Sequence, residues 1–178
     1  MTDQFILQVP YRSQSTLYTC GAVSTGMCLE YFGILKSEKE LIKELKITPK
    51  HGTYFKDIEK YIRKLGLYCE IVDSFDNQEE AYLYLKKQIK QKAPVIITVD
   101  RYVYDNLTPK IYTNTDWESD EISLHIVVVI GFDNTNVYIH DPHKDIGASY
   151  SILINNFLKA WFNKRFQGEL IAFRDIAS

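Results

Sequence analysis

The chain has 178 residues and a formal net charge of -2, which suits one ordinary domain with a full hydrophobic core. This charge gives no general attraction to nucleic acid or anionic membranes, and no apolar run approaches the roughly 18 residues of a membrane span. The N-terminus M-T-D-Q-F-I-L-Q-V-P lacks the basic and apolar regions of a secretory signal, which predicts a cytoplasmic protein and leaves export by a signal-less route open.

The first half of the chain is predicted to be mainly helical. Its elements are an extended lead-in over 5–12, a helix from Cys20 to Gly33, further helices over 38–46, 54–65 and 78–91, and a strand over 67–72. The helix from Cys20 is apolar on nearly all sides and therefore belongs in the core. Ser37 and Glu40 form a capping box for the second helix, and Thr53 is expected to cap the third.

Strands dominate the second half, over 95–99, 123–132, 137–141, 149–154 and 169–173, with a short helix over 156–163. The first of these is continuously apolar, which is typical of a strand buried on both faces. A turn cluster from Asp133 to Asn136 joins the second and third into a hairpin. With no internal repeat or linker, the chain is predicted to be one α+β domain over 1–178.

The segment 100–122 interrupts this pattern with a long polar and aromatic stretch. Loops of this length inside a compact domain are uncommon and often functional. Its acidic end, from Asp116 to Glu121, could favour a basic substrate, although a solvated loop is the simpler interpretation.

Three cysteines, Cys20, Cys28 and Cys69, form neither an even disulfide set nor a CxxC metal pattern. Reduced thiols are the simplest interpretation. Cys28 and Cys69 fall in apolar segments, where a free cysteine packs as a small hydrophobe, so both are expected to be inert. We expect no cofactor.

Cys20 differs from the other two because it lies where a buried helix begins. A cysteine attacks as the thiolate, and the unpaired amides and positive dipole end of a helix start favour that form. Thr19 is a plausible N-cap. Gly21 and Gly26 are poor helix residues, which suggests that another backbone or a substrate comes close. The stretch therefore indicates a reactive thiol.

Two further side chains complete a possible catalytic set with that thiol. His125 interrupts an apolar strand, where an unpaired imidazole would be costly to bury, and Asp141 ends the partner strand. Thiol, imidazole and carboxylate are the parts of a nucleophile, a base and an orienting group. Gln14 precedes the cysteine and could hold an oxyanion together with the Cys20 backbone N–H.

These residues stand in the motifs Q-S-T-L-Y-T-C-G-A, L-H-I-V-V-V-I-G-F-D and V-Y-I-H-D-P. The pattern resembles the bacteriocin-processing peptidases, papain-like cysteine peptidases that remove double-glycine leaders, from Val9 to about Leu158. The resemblance implies a papain-like fold with the helical half packed on a C-terminal antiparallel sheet. It also implies Cys20 as nucleophile, His125 as base and then acid, Asp141 as its orienting group and Gln14 as oxyanion donor. The substrate would be a peptide or protein, cut after small residues such as Gly.

Several alternatives stay open on the sequence. An amine or thiol could replace water as acceptor, giving a transpeptidase or γ-glutamyl transferase, and a papain-like domain could bind peptides without cutting them. His140, His143 and Asp145 could suggest a metal site, although their spacing in the chain does not obviously bring the three side chains to one ion. The natural substrate and the oligomeric state are not predicted.

The hairpin spacing also poses a difficulty. If Asn134 and Thr135 form a tight two-residue turn, Asp141 lies opposite Val128, roughly 10 Å along the strand from His125. We therefore expect a bulge, a strong twist or a displaced His125 side chain to close the gap.

Overall fold

The computed structural model describes residues 4–107, 124–164 and 167–174. The helices are α1 (Cys20–Tyr31), α2 (Glu38–Glu44), α3 (Phe55–Lys64), α4 (Gln78–Lys90), α5 (Arg101–Leu107) and α6 (Ile154–Trp161). The strands are β1 (Phe5–Ile6), β2 (Tyr68–Val72), β3 (Val95–Asp100), β4 (Leu124–Phe132), β5 (Asn136–His140), β6 (Tyr150–Leu153) and β7 (Leu170–Arg174). This arrangement confirms the predicted α+β fold with helices towards the N-terminus and a sheet towards the C-terminus.

One antiparallel sheet holds the strands in the order β2-β7-β3-β4-β5-β6, with the short β1 on β4. Strands β3 and β4 lie in the middle and are buried at nearly every position. Their continuous runs of Val and Ile explain this, because a strand covered on both faces needs apolar residues at consecutive positions. The last strand, β7, lies between β2 and β3 in the interior of the sheet.

Helix α1 packs against β4 and carries the cysteine of interest into the core. Its residues from Cys20 to Leu29 are all buried, as the apolar sequence predicts. The Ser24 hydroxyl donates to the backbone oxygen of Ile126 over 3.3 Å, which satisfies a polar group inside this interface. The start of α1 is therefore held next to the first residues of β4.

Of the two N-caps predicted for α2 and α3, the structure has the first and not the second. The Ser37 and Glu40 capping box of α2 is present. Thr53 was the wrong residue for the cap of α3, because the N-cap position is Tyr54, whose side chain makes no capping bond. The Thr53 hydroxyl is instead buried against α1.

The prediction of a loop over 100–122 is wrong in its first part. Asp100 still belongs to β3, and Arg101–Leu107 forms α5 directly after it. The Asp100 side chain accepts a long 3.4 Å hydrogen bond from the Val103 backbone N–H, as an N-cap does. The rest of the segment, including its acidic end, lies outside the described residues. Among the described helices, none has the length and apolar character needed to cross a membrane.

Candidate active site

Cys20 is the first residue of α1 and reaches a cleft of about 520 Å³ between the helical half and the sheet. Its side chain is almost covered, since the residue is 9% exposed. Thr19 occupies the N-cap position but makes no side-chain capping bond, and its hydroxyl donates to the Thr16 carbonyl oxygen. The backbone amides at the start of the helix are therefore not satisfied by that hydroxyl.

The glycine after the cysteine allows a close approach. A Cβ on Gly21 would lie 2.3 Å from the Thr53 hydroxyl oxygen, so the loop before α3 packs directly on the start of α1. At Gly26 a Cβ would meet Leu41 at 3.0 Å and Arg12 at 3.4 Å. The close neighbours at both glycines are side chains, whereas the sequence suggested another backbone or a substrate.

His125 in β4 forms the centre of the site. Its Nε2 lies 2.8 Å from Oδ1 of Asp141, and both side chains are buried. The Cys20 side chain also interacts with the imidazole and helps to raise the pKa of His125. Because Nε2 faces the carboxylate, Nδ1 is the ring nitrogen left for the thiol. The structure therefore brings Cys20, His125 and Asp141 into one chain of contacts.

A bulge in β4 closes the gap that the hairpin spacing implied. Phe132 pairs with Val137 and Gly131 with Tyr138, but Val129 pairs with Ile139 and Val128 with His140, so the register shifts by one at Ile130. Extending the shifted register places Asp141 opposite Val127. Since side chains alternate between faces, Val127 shares a face with His125 whereas Val128 does not. The extra residue in β4 therefore places the Asp141 carboxylate on the same face of the sheet as His125.

Two donors besides the histidine hold the carboxylate. The Tyr104 hydroxyl donates to Oδ2 of Asp141 over 2.9 Å, and the His143 backbone N–H donates to Oδ1 over 2.8 Å. Tyr104 is 2% exposed, and its ring centroid lies 6.0 Å from that of His125. Tyr104 falls in the segment that the sequence predicted as a loop, and it was therefore not among the expected site residues. The Asp100 cap is the signal that could have indicated the helix.

These contacts set the charges of the pair. Burial lowers the pKa of His125, but the charge and hydrogen bond of Asp141 and the Cys20 thiol outweigh it, so the pKa of His125 is raised. Burial raises the pKa of Asp141, but His125 and the donors from His143 and Tyr104 outweigh it, so the pKa of Asp141 is lowered. The imidazole is therefore held as a cation between the Asp141 carboxylate and the Cys20 side chain.

Gln14 is tied to both sides of the site. Its backbone N–H donates to the Pro142 carbonyl oxygen over 2.8 Å, next to the carboxylate. Its side-chain Nε2 donates to the Thr16 carbonyl oxygen over 2.9 Å, which uses one of the two amide hydrogens. The second amide hydrogen is left for another acceptor.

The mouth of the cleft is apolar. Leu17, Tyr54 and Leu124 line it and are 45%, 62% and 41% exposed. His51, in the loop before α3, also lines the cleft. Exposed large apolar side chains grouped around a cavity mark a binding surface for an apolar partner.

The histidines near Asp141 have structural contacts of their own. His140 Nε2 lies 2.7 Å from the Val9 carbonyl oxygen, and its Nδ1 accepts from the Ser149 backbone N–H over 2.9 Å. Both ring nitrogens of His140 are thus engaged by the backbone. Among the described residues, no group of three or more potential ligands could hold a metal ion.

A comparison with family profiles matches residues 6–169, nearly the whole chain, to the peptidase C39-like family. The chain belongs to this family. The match confirms the resemblance to bacteriocin-processing peptidases that the motifs around Cys20 and His125 carry. A comparison with curated protein sequences gives no match.

Solved structures of C39 peptidases share the fold. A protein described as a C39-like peptidase from Bacillus anthracis has a TM-score of 0.72 at 22% identity, over 97% of this chain and 98% of that one. A double glycine motif protease from an AMS/PCAT transporter, in complex with its leader peptide, has a TM-score of 0.67 at 20% identity, over 98% and 99%. The peptidase domain of Streptococcus ComA has a TM-score of 0.66 at 18% identity, over 92% and 96%.

Proposed function

We propose that this chain is a cysteine peptidase that hydrolyses peptide bonds through a thioester, with Cys20 as nucleophile. The observation that carries the proposal is the contact of the Cys20 thiol with a buried His125 that Asp141 holds at 2.8 Å. Covalent catalysis requires a nucleophile, a base and an orienting group in contact with one another beside a cleft, and Cys20, His125 and Asp141 have this arrangement.

In the first half of the reaction, the thiolate attacks the carbonyl carbon of the scissile bond. The resulting oxyanion accepts hydrogen bonds from the Cys20 backbone N–H and from the second N–H of the Gln14 side chain, a role worth about 3 kcal/mol per donor. The intermediate collapses when the C–N bond breaks, and His125 gives its proton to the leaving amine. The acyl group stays on sulfur.

In the second half, His125 takes a proton from water, and the hydroxide attacks the thioester. The C–S bond breaks, the acid product leaves, and the thiolate and imidazolium form again. Asp141 stabilises the imidazolium at both stages and keeps Nδ1 directed at the sulfur. Tyr104 and the His143 backbone fix the carboxylate in turn.

The substrate is proposed to be a peptide cut after small residues such as Gly. The apolar mouth of the cleft suits the side chains of a peptide, and one structural neighbour was solved with its leader peptide bound. Acyl transfer to an amine uses the same thioester, so a product assay with a competing amine separates transferase from hydrolase.

The test is a mass-spectrometric profile of products from a peptide library. We expect Cys20→Ala and His125→Ala to abolish turnover, while circular dichroism shows an unchanged fold. Cys28→Ala is the matched control and should keep turnover. Bound but uncut peptides with the wild-type protein would instead indicate a peptide-binding module.

A further inference from the structure

The cleft beside Cys20 has an acidic wall on the side of the sheet. Glu169, just before β7, and Thr98 in β3 both line the cleft that Cys20 reaches. The two lie on neighbouring strands, because Ile97 pairs with Leu170. The Trp161 indole N–H donates to the Glu169 carbonyl oxygen over 3.0 Å. The backbone that carries this carboxylate is therefore fixed at the cleft.

No cation in the described part of the chain pairs with the Glu169 carboxylate. Within residues 4–107, 124–164 and 167–174 it makes no ion pair, and the side chain that favours its charged form is that of Thr98. Burial raises the pKa of Glu169, Thr98 opposes this, and the charge of Asp73 adds to it. Lys50 also lines the cleft but does not pair with the carboxylate.

An unpaired carboxylate such as Glu169 lowers the stability of the folded protein, because burial removes part of the water around its charge. Unbalanced charges of this kind concentrate at functional sites, where a ligand supplies the missing partner. The neighbouring side chains of Ile126 and Leu124 are apolar and also line the cleft. Together they suit a group with a hydrocarbon stem and a positively charged end.

We propose that Glu169 and Thr98 form a subsite that binds a cationic group of the peptide substrate. This inference rests on the proposed peptidase function and adds the class of substrate: a peptide with a positive charge near the cleaved bond. A Lys or Arg side chain and a free α-amino group share this chemistry. In either case the cation donates to the carboxylate while the cleaved bond lies at Cys20.

The experiment uses matched peptides that differ by one charge. One arm compares Lys with norleucine at each position near the cleaved bond, and the other compares free with acetylated N-termini. We expect the preferred cation to raise kcat/KM about tenfold, as a partly buried ion pair does. Glu169→Gln should remove this preference, whereas Glu79→Gln, an exposed residue on α4, should retain it.

The two arms separate the sources. A preference for Lys identifies a side chain, and sensitivity to acetylation identifies the α-amino group. Glu169→Gln should not lower the melting temperature, because it removes an unbalanced charge. Hydrolysis with equal kcat/KM in every matched pair would overturn the subsite and leave the peptidase proposal standing.

A binding measurement keeps the inference testable if no peptide is cut. Fluorescence anisotropy with the same peptide pairs and the Cys20→Ala variant reports affinity without turnover. A charge preference that disappears in the Glu169→Gln, Cys20→Ala double variant would support the subsite even where hydrolysis fails. Equal affinities within every pair would overturn it.

Discussion

At the scale of single residues, the site depends on a carboxylate with no exposure to water. Asp141 is 0% exposed and accepts hydrogen bonds from His125, Tyr104 and His143. A buried carboxylate is tolerated only when such donors replace the water it has lost. We therefore expect Tyr104 to be a positioning residue, which acts on the histidine through Asp141.

We expect Tyr104→Phe to lower kcat about tenfold with little change in KM, because a hydrogen bond to a charged group contributes roughly 1.5–3 kcal/mol. Loss of the hydroxyl also removes one of the groups that lower the pKa of Asp141. The acid limb of the activity profile should therefore move to higher pH. Steady-state kinetics over a pH series measures both effects.

Tyr84→Phe is the matched control, since Tyr84 packs on Phe75 away from Cys20, His125 and Asp141. It should leave kcat and the pH profile unchanged. A Tyr104→Phe variant with a wild-type acid limb would show that the tyrosine only fills space.

The three thiols should differ sharply in reactivity. Burial raises the pKa of Cys28 well above its ordinary value, and burial with the charge of Glu59 raises the pKa of Cys69 to about 12. Only Cys20 has an imidazolium neighbour. We expect iodoacetamide at mildly acidic pH to label one thiol per chain at Cys20, as peptide mapping by mass spectrometry will show.

The His125→Ala variant provides the control for this labelling, because it removes the cation and should slow the reaction of Cys20. Equal and slow labelling of all three cysteines in the wild-type protein would contradict the thiolate and imidazolium pair.

Residue types and their order in the chain were enough to select Cys20, His125, Asp141 and Gln14 as candidates. The chemistry of a thiol at a helix start and an imidazole in an apolar strand is visible in the sequence. Tyr104 and Glu169 were not selected, because their importance comes from neighbours that are distant in the chain.

At the scale of elements, the bulge in β4 decides which side chains meet. Without it, the pairing of β4 and β5 would place Asp141 on the face of the sheet away from His125. The sequence indicated a gap but not its solution, since a bulge has no dependable sequence signal. Helix α5 was missed for a related reason: R-Y-V-Y-D-N-L is rich in residues that favour strands and follows a strand directly.

We expect Gly131→Ala to lower the free energy of unfolding by about 1–3 kcal/mol, the cost of overpacking. A Cβ at this position would lie 2.3 Å from the Phe5 carbonyl oxygen and 2.8 Å from the Ile6 Cα, so β1 would have to move. Urea denaturation measures the change.

Gly52→Ala is the control, because no heavy atom lies within 4 Å of its added Cβ. Equal stability of the two variants would show that β1 adjusts to Gly131→Ala without cost.

At the scale of the molecule, the buried pair links stability to pH. His125 has a raised pKa in the folded state, so its contribution is complete below the ordinary value of 6.5 and is lost as pH rises through the folded value. Asp141 has a lowered pKa, so its contribution is complete above 3.8 and is lost as pH falls through the folded value.

We therefore expect Asp141→Asn to be most destabilising between those two values, by about 3 kcal/mol, because it breaks a buried pair. Denaturation of Cys20→Ala with and without Asp141→Asn, over a pH series, isolates this effect from the coupled thiol. A difference that does not depend on pH would argue against an ion pair.

The interior place of β7 has a consequence for how the protein is made. Cys20 is synthesised early, but the sheet that carries its partners cannot close until Leu170–Arg174 are available to fill the space between β2 and β3. During synthesis, the sheet is therefore completed only after this late segment has been made.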